Sequence, residues 1–219
     1  MLERIGTEGE GRTGFIRQLA WRDWYAHLFF EMPHMIDRPM REQYASIEWR
    51  DDDAGFDAWC QGCTGYPIVD AGMRQLNTTG WMHNRVRMIT ASFLVKHLLI
   101  DWTRGEKYFR RQLLDADVPQ NAGNWQWVAG TGPDAAPYFR IFNPVSQSKK
   151  FDPTGAYIRT YVPELADLDN RSIHQPSELA PLDLAAAGVH LGDNYPHPLV
   201  DLTVGRERCL ATYKAARGD

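Results

Sequence analysis

The sequence predicts an all-α fold. Apolar residues three and four positions apart recur in segment after segment of the 219-residue chain, and no strand-type alternation of any length is present. Pro67 stands where a helix can begin, because the first turn needs no N–H from proline. Gly80 stands where the same helix can end in a left-handed residue. A chain of this length can bury a substantial core.

Eight helical segments are predicted after a short tail. Residues 1–13 are polar and glycine-rich, so we predict a flexible tail followed by one helical domain over residues 14–219. Asp101 and Trp102 are predicted to close the fourth helix, and the glycine-rich stretch 121–132 receives no helix. The helices are predicted over 14–32, 54–61, 67–76, 83–100, 105–114, 153–161, 178–187 and 199–217.

Composition and charge narrow the class of protein. No apolar run is long enough to span a bilayer, and three cysteines do not form a disulfide framework, so we expect a cytoplasmic protein. The lone C-x-x-C from Cys60 to Cys63 lacks a second ligand pair, which argues against a metal site. The net charge of −4 argues mildly against nucleic acid. The excess of arginine and lysine within residues 84–111 nevertheless fits either phosphate binding or an ordinary solvated surface.

The predicted helix 83–100 has a polar entrance to an otherwise apolar segment. Asn84, Arg85, Arg87 and Met88 occupy its first turn, and Asn84 and Met88 share one face. Such an entrance either faces a ligand or is a capped helix end with solvated arginines. This stretch alone does not separate the two interpretations.

Two carboxylates and a set of aromatic residues also leave alternatives open. Asp115 and Asp117 can cap a helix, hold polar groups of a ligand, or pair with a buried arginine. Eight tryptophans can pack in the core, stack on planar ligands or relay electrons. One face of the helix 14–32 suits either contact with a base or an ordinary amphipathic surface. That face consists of Gln18, Trp21, Arg22 and Tyr25.

Four stretches together resemble the C-terminal, FAD-binding helical domain of the DNA photolyase/cryptochrome family. They are TGYPIVDAGMRQLNTTGWMHNRVRM at 64–88, DW at 101–102, NWQWVAGTGPDAAPYFRIFNP at 124–144 and KFDPTGAYIRTYVPEL at 150–165. Their order and spacing match the family over about residues 15–217. The resemblance therefore implies a helical FAD-binding domain that lacks its N-terminal part.

The activity implied by the resemblance is that of a carbon–carbon lyase that repairs ultraviolet-damaged DNA. Reduced FAD, excited by near-ultraviolet or blue light, passes an electron to a pyrimidine dimer flipped out of the duplex, and the dimer splits. Photolyases that act on (6–4) photoproducts have histidines where this chain has Asn84 and Met88. The resemblance thus favours cyclobutane dimers as the substrate and a monomer as the form that binds damaged DNA.

The resemblance also assigns roles to individual residues. Asn121 would stand beside flavin N5, Arg87 would pair with Asp115, and Trp21 and Trp127 would sandwich the flipped dimer. The triad that relays electrons to the flavin would be Trp125, Trp102 and Trp49, which with Asn121 form the catalytic set. The flavin would be contacted by Phe15, Trp81, Arg87, Asp115, Ala116, Asp117 and Asn121. Damaged DNA would be contacted by Gln18, Trp21, Arg22, Tyr25, Asn84, Arg85, Met88, Trp127, Arg140 and Gln147.

Three features depart from the family pattern. Gln18 stands where many photolyases of cyclobutane dimers have a glutamate, and His97 stands where an aspartate is expected. The chain also begins after the antenna domain and the phosphate-gripping part of the FAD domain, so any antenna chromophore is expected in that missing N-terminal domain. Two alternatives to a repair enzyme follow, a cryptochrome-type blue-light photoreceptor and a truncated, non-catalytic remnant.

Overall fold

Ten α-helices form the architecture of the protein in a computed structural model that describes residues 10–218. The helices are α1 (Glu10–Glu31), α2 (Asp53–Gln61), α3 (Pro67–Thr79), α4 (Asn84–Ser92), α5 (Trp102–Gln112), α6 (Val118–Ala129), α7 (Pro144–Phe151), α8 (Ala156–Tyr161), α9 (Pro181–Ala186) and α10 (Leu202–Arg217). Short 3-10 turns connect several of them. Within residues 10–218 the extended pairing is limited to one isolated bridge between Leu191 and Tyr195, which confirms the all-α prediction.

The first helix begins earlier than the sequence pattern indicates. Helix α1 starts at Glu10, so the prediction of a tail is wrong for residues 10–13. Residues 1–9 of the predicted tail lie outside the described residues. Nothing between residues 10 and 218 is both long and apolar enough to form a membrane-crossing helix.

The predicted helix 83–100 is in fact two different structures. Helix α4 ends at Ser92, and the chain continues through one turn of π-helix over Phe93–His97, here called the π turn. The prediction that Asp101 closes this helix is wrong, because its side chain caps the start of α5 by accepting the N–H of Thr103 at 2.9 Å. Helix α5 therefore begins at Trp102 rather than at 105.

Two helices were not predicted at all. Helix α6 lies across the glycine-rich stretch, with the Asp117 side chain accepting the Gln120 N–H at its start and Gly130 left-handed at its end. Helix α7 starts with Pro144 in its first turn after the cap Asn143. These boundary signals are visible in the sequence, but glycine and alanine leave little apolar periodicity between them.

Close contact between helices shapes the core around α6. A Cβ atom on Gly105 of α5 would lie 2.2 Å from Cη2 of Trp125, so glycine is what lets α5 lie against α6. A Cβ atom on Gly123 would likewise lie 2.2 Å from Cδ1 and Cε1 of Tyr25, so α1 lies against the other side of α6. Helix α6 is thus held between two neighbours at short range.

A buried carboxylate attaches the C-terminal third of the chain to this core. Asp70 on α3 is fully buried and accepts hydrogen bonds from the N–H and hydroxyl of Thr64 at 2.7 and 2.6 Å. It also accepts the N–H of Gly65 at 3.1 Å and the hydroxyl of Tyr195 at 2.7 Å. Burial raises the pKa of Asp70, whereas the hydrogen bonds from Thr64 and Tyr195 lower it.

Candidate functional site

A cavity of about 320 Å³ lies between α1, α4 and α6. Its size and mixed lining are typical of a pocket for a small molecule or a cofactor. Twelve of the residues to which the sequence assigns a role line it together. They are Gln18, Trp21, Tyr25, Asn84, Arg87, Met88, Asp115, Ala116, Asp117, Asn121, Trp125 and Trp127.

Other residues of the cavity wall were missed from the sequence. Gln120, Asn124 and Val128 share a face of α6 with Asn121 and Trp125, at helical spacing. Once α6 is recognised as a helix, this spacing identifies them. The remaining lining residues are Ala91, Phe109, Leu113 and Asp134, which come from three different parts of the chain.

An arginine–carboxylate pair forms one polar edge of the cavity. Nη2 of Arg87 lies 3.0 and 2.9 Å from the two carboxylate oxygens of Asp115. Nε of the same guanidinium donates to the carbonyl of Met82 at 2.7 Å. The pair joins the first turn of α4 to the segment between α5 and α6, and charge-assisted contacts of this kind hold both side chains in place.

A buried glutamate orients Asn121 at the cavity wall. Nδ2 of Asn121 donates at 3.0 Å to the backbone carbonyl of Glu106 and at 3.0 Å to its Oε1 atom. Glu106 is fully buried, and its Oε2 atom has no hydrogen-bond partner. Burial raises the pKa of Glu106, while the contact from Asn121 lowers it. Because the amide nitrogen faces Glu106, the amide oxygen of Asn121 points away from it.

Helix α1 contributes the opposite wall. Tyr25 is buried against Gly123, and burial raises its pKa to about 12, so its phenol is neutral at physiological pH. The ring of Trp21 lies 6.3 Å from that of Tyr25 and is 39% exposed, which leaves an accessible indole at the cavity. Across from it, Nδ2 of Asn84 lies 3.8 Å from the sulfur of Met88.

The three tryptophans of the predicted electron relay line two different pockets. Trp125 is buried in the cavity wall, where its ring lies 5.0 Å from that of Phe109. Trp102 is buried and Trp49 is partly buried, and both line a second hollow beside Tyr44. All three tryptophans belong to, or pack against, the same hydrophobic cluster.

Several predicted site residues lie outside the cavity. Phe15 and Trp81 do not line it and are 42% and 47% exposed. Arg22 lies 3.8 Å from the carboxylate of Asp117, and Gln147 is partly buried in α7.

The guanidinium groups of two arginines predicted to contact DNA lie near aromatic rings. The guanidinium of Arg85 stands 4.6 Å from the centre of the Phe151 ring. That of Arg140 stands 5.8 Å from the ring of Trp127, which is one of the residues that line the cavity.

Comparison with known proteins shows which family the chain resembles over most of its length. Residues 15–215 match the family described as the FAD binding domain of DNA photolyase. A deoxyribodipyrimidine photo-lyase of Agrobacterium fabrum is 55% identical over 204 residues, which are 93% of this chain and 42% of that protein. The chain therefore spans less than half the length of this relative.

Two solved structures share the fold. A bacterial class III photolyase from Agrobacterium tumefaciens superposes with a TM-score of 0.93 at 52% identity, covering 96% of this chain and 44% of that one. A cryptochrome from Synechocystis superposes with a TM-score of 0.90 at 38% identity, covering 96% of this chain and 43% of that one.

Proposed function

The chain belongs to the DNA photolyase family, and on that premise we propose that it forms the flavin- and DNA-binding part of a deoxyribodipyrimidine photo-lyase. The proposed reaction is the light-dependent splitting of cyclobutane pyrimidine dimers in DNA. The observation that supports it most directly is the composition of the cavity between α1, α4 and α6. Groups suited to a flavin and groups suited to a flipped base line it together.

FAD is the cofactor we propose for the inner part of the cavity. A planar ring with a polar edge fits a site that combines the indole of Trp125 with a guanidinium, a carboxylate and an amide. Arg87 and Asp115 would hold the polar edge, and Asn121, fixed by Glu106, would present its amide oxygen. When bound and reduced, FAD supplies the electron that splits the dimer.

The outer part of the cavity is suited to an extruded dimer. Trp21 on α1 and Trp127 on α6 offer indole faces on which pyrimidine rings can stack. Asn84 and Gln18 offer amide donors and acceptors for the polar edges of the bases. Arg85 and Arg140 lie outside the cavity and would neutralise phosphates beside the lesion.

Three further proposals follow from family membership. The tryptophans Trp125, Trp102 and Trp49 would relay electrons to the flavin from the surface. The protein would work as a monomer in the cytoplasm. Any antenna chromophore would bind the part of the relatives that this chain does not span.

Replacing Trp125 tests the flavin site and the relay together. The purified chain, incubated with FAD, is expected to show the flavin's blue absorbance band and to lose it under blue light with an external reductant. Trp125→Phe is expected to slow this photoreduction about tenfold or more, because phenylalanine is far harder to oxidise than indole. Trp24→Phe on α1 is the matched control, since Trp24 does not line the cavity.

The outcomes of this experiment separate the parts of the proposal. Equal photoreduction in wild type and Trp125→Phe would reject the relay. Absence of bound flavin would reject this chain as a holder of the cofactor and would leave its family membership unchanged.

The hydrogen bond from Asn121 to Glu106 gives a second test of the flavin site. Glu106→Gln keeps the shape of the side chain but adds an N–H₂ group that can face Asn121 as a donor, so only the backbone carbonyl of residue 106 still orients the amide of Asn121. We expect the dissociation constant for FAD to rise about fivefold, as for the loss of one neutral hydrogen bond. Glu42→Gln, at an exposed position, is the control. An unchanged affinity in Glu106→Gln would contradict this role for Glu106.

A cryptochrome-type photoreceptor is the second candidate, because a cryptochrome is among the solved structures that share the fold. The accessible indoles of Trp21 and Trp127 at the cavity favour repair. Loss of cyclobutane dimers from an irradiated oligonucleotide under blue light, in the presence of reduced FAD, would decide for the repair enzyme. Flavin photochemistry without dimer loss would decide for the photoreceptor.

A further inference from the structure

The loop over residues 130–143, here called the mouth loop, joins α6 to α7 and presents Arg140 at the cavity. Arg140 is exposed, and its guanidinium lies 5.8 Å from the ring of Trp127 and 5.5 Å from that of Phe142. Phe139, its neighbour in the loop, is 59% exposed. These exposed side chains give the loop little anchorage of their own, so the contacts at its two ends contribute to its position.

Consecutive residues of the π turn reach the two ends of the mouth loop. Nζ of Lys96 donates to the carbonyl of Ala129, the last residue of α6, at 2.6 Å. Nε2 of His97 lies 3.1 Å from the carbonyl of Phe142, two residues before α7. The first end has a second donor, the hydroxyl of Tyr213 at 2.7 Å.

The end of the mouth loop at Phe142 depends more strongly on His97 than the end at Ala129 depends on Lys96. The backbone of Phe142 makes one further, longer contact with a side chain, from its N–H to Oγ of Ser92 at 3.4 Å. His97 is itself buried, and burial lowers its pKa, so the neutral ring with a proton on Nε2 donates to the carbonyl. A buried donor of this kind fixes both the distance and the direction of the loop backbone.

The backbone after the π turn is held in an unusual conformation. Leu99 has a φ of 57°, the left-handed region that a residue with a branched side chain rarely adopts. Two arginines secure the carbonyls around it, because Arg208 donates to His97 and Arg50 donates to Leu98. Strain of this kind persists only where surrounding contacts enforce it, and strained residues cluster at functional sites.

We propose that the π turn Phe93–His97 is the positioning device of the mouth loop, and that His97 is a positioning residue for the DNA contact made by Arg140. The loop part of this inference stands on the geometry alone, whereas its consequence for DNA rests on the proposed function. His97 acts at a distance, since it touches Phe142 rather than the cavity.

The rate of tryptic cleavage after Arg140 measures how firmly the mouth loop is held in position. In His97→Ala, cleavage of the Arg140–Ile141 bond under native conditions is expected to be about fivefold faster, the factor for one lost hydrogen bond. His97→Gln keeps a donor at the reach of Nε2 and is expected to restore the wild-type rate within about twofold. Ser92→Ala, a milder variant should His97→Ala fold poorly, is expected to accelerate cleavage about twofold.

Replacement of another buried histidine is the matched control. His174→Ala removes an imidazole that lies 2.6 Å from Oγ of Ser148, which belongs to α7 and not to the mouth loop, and is expected to leave cleavage after Arg140 unchanged. Equal acceleration in His174→Ala and His97→Ala would overturn the inference, as would an unchanged rate in both His97→Ala and Ser92→Ala.

A double-mutant cycle on DNA binding tests the functional part. Arg140→Ala is expected to weaken binding to an ultraviolet-irradiated oligonucleotide about tenfold, and His97→Ala about fivefold. In the Arg140→Ala background, His97→Ala is expected to add nothing, because its effect passes through Arg140. Additive losses would overturn the link between the two residues. Equal binding of irradiated and intact DNA by the wild type would instead refute the proposed function, and the cleavage result would still decide the loop part.

Discussion

Gly123→Ala is expected to lower the free energy of unfolding by about 1–3 kcal/mol, the range for forcing an extra carbon into a packed core. The new Cβ would lie 2.2 Å from two ring carbons of Tyr25, which is buried and cannot swing into solvent. Relief requires α1 to move away from α6. Urea denaturation followed by tryptophan fluorescence measures the change, with the slope of the transition confirming a comparable surface on unfolding.

The same substitution at Gly14 has the opposite expected sign and is the matched control. Gly14 also lies in α1, and a Cβ there meets nothing within 4 Å. Gly14→Ala should therefore stabilise by about 0.5–1 kcal/mol through the higher helix propensity of alanine. Equal and small effects at both positions would refute the close contact of α1 with α6.

Displacement of α1 has a functional consequence as well. Trp21 and Gln18 reach the cavity from α1, whereas Trp127 reaches it from α6. A wider spacing between the two indoles should weaken binding of an irradiated oligonucleotide in Gly123→Ala. Under the proposed function, FAD affinity should change less, because Arg87 and Asp115 are not on α1.

Local signals in the sequence predicted much of the fold. They also limited several site residues to a few possible structural roles. Pro67 indicated the start of α3, and Gly80 is left-handed as predicted, with a φ of 68°, although the helix continues to Thr79 rather than ending at 76. Of the alternatives open for the two carboxylates, Asp117 caps α6 and Asp115 pairs with Arg87. Each of these features depends on residues close in sequence or on a family motif.

Features that depend on distant residues could not be predicted in this way. The contact between Tyr25 and Gly123 joins positions almost 100 residues apart, and nothing local marks it. The burial of Glu106 and its bond to Asn121 require the packing of α5 on α6, and α6 itself was missed. The π turn was not predicted for a related reason. An apolar run indicates a continuous α-helix, and only the packing partners show where the helix changes.

The charge of Lys96 is the clearest of these tertiary effects. Its side chain is fully buried, lies 3.8 Å from the centre of the Tyr213 ring, and pairs with no carboxylate among residues 10–218. Burial lowers the pKa of Lys96 from 10.5 to about 8. This shift corresponds to a cost of about 3 kcal/mol for keeping the charged form in the folded protein at pH 7.

The pH dependence of stability follows from the direction of that shift. Between pH 8 and 10.5 the unfolded chain binds more protons at Lys96 than the folded chain, so this residue's contribution to the free energy of unfolding rises with pH. Lys96→Met removes the charge and keeps the stem, and the Tyr213 hydroxyl still donates to Ala129. After loss of one hydrogen bond and one cation–π contact, we expect the variant to be more stable than wild type at pH 7 by about 1–2 kcal/mol.

Urea unfolding of both proteins at pH 7, 8, 9 and 10 tests this expectation. The advantage of Lys96→Met should shrink steadily above pH 8, as the wild type loses the buried charge. Ionisable groups that do not interact with Lys96 are common to both proteins and cancel in the difference. Lys214→Met, at an exposed position on α10, should show no such trend. If the free energy of unfolding depends on pH in the same way in wild type and Lys96→Met, then Lys96 titrates as in the unfolded chain. The π turn would then hold α6 without an electrostatic penalty.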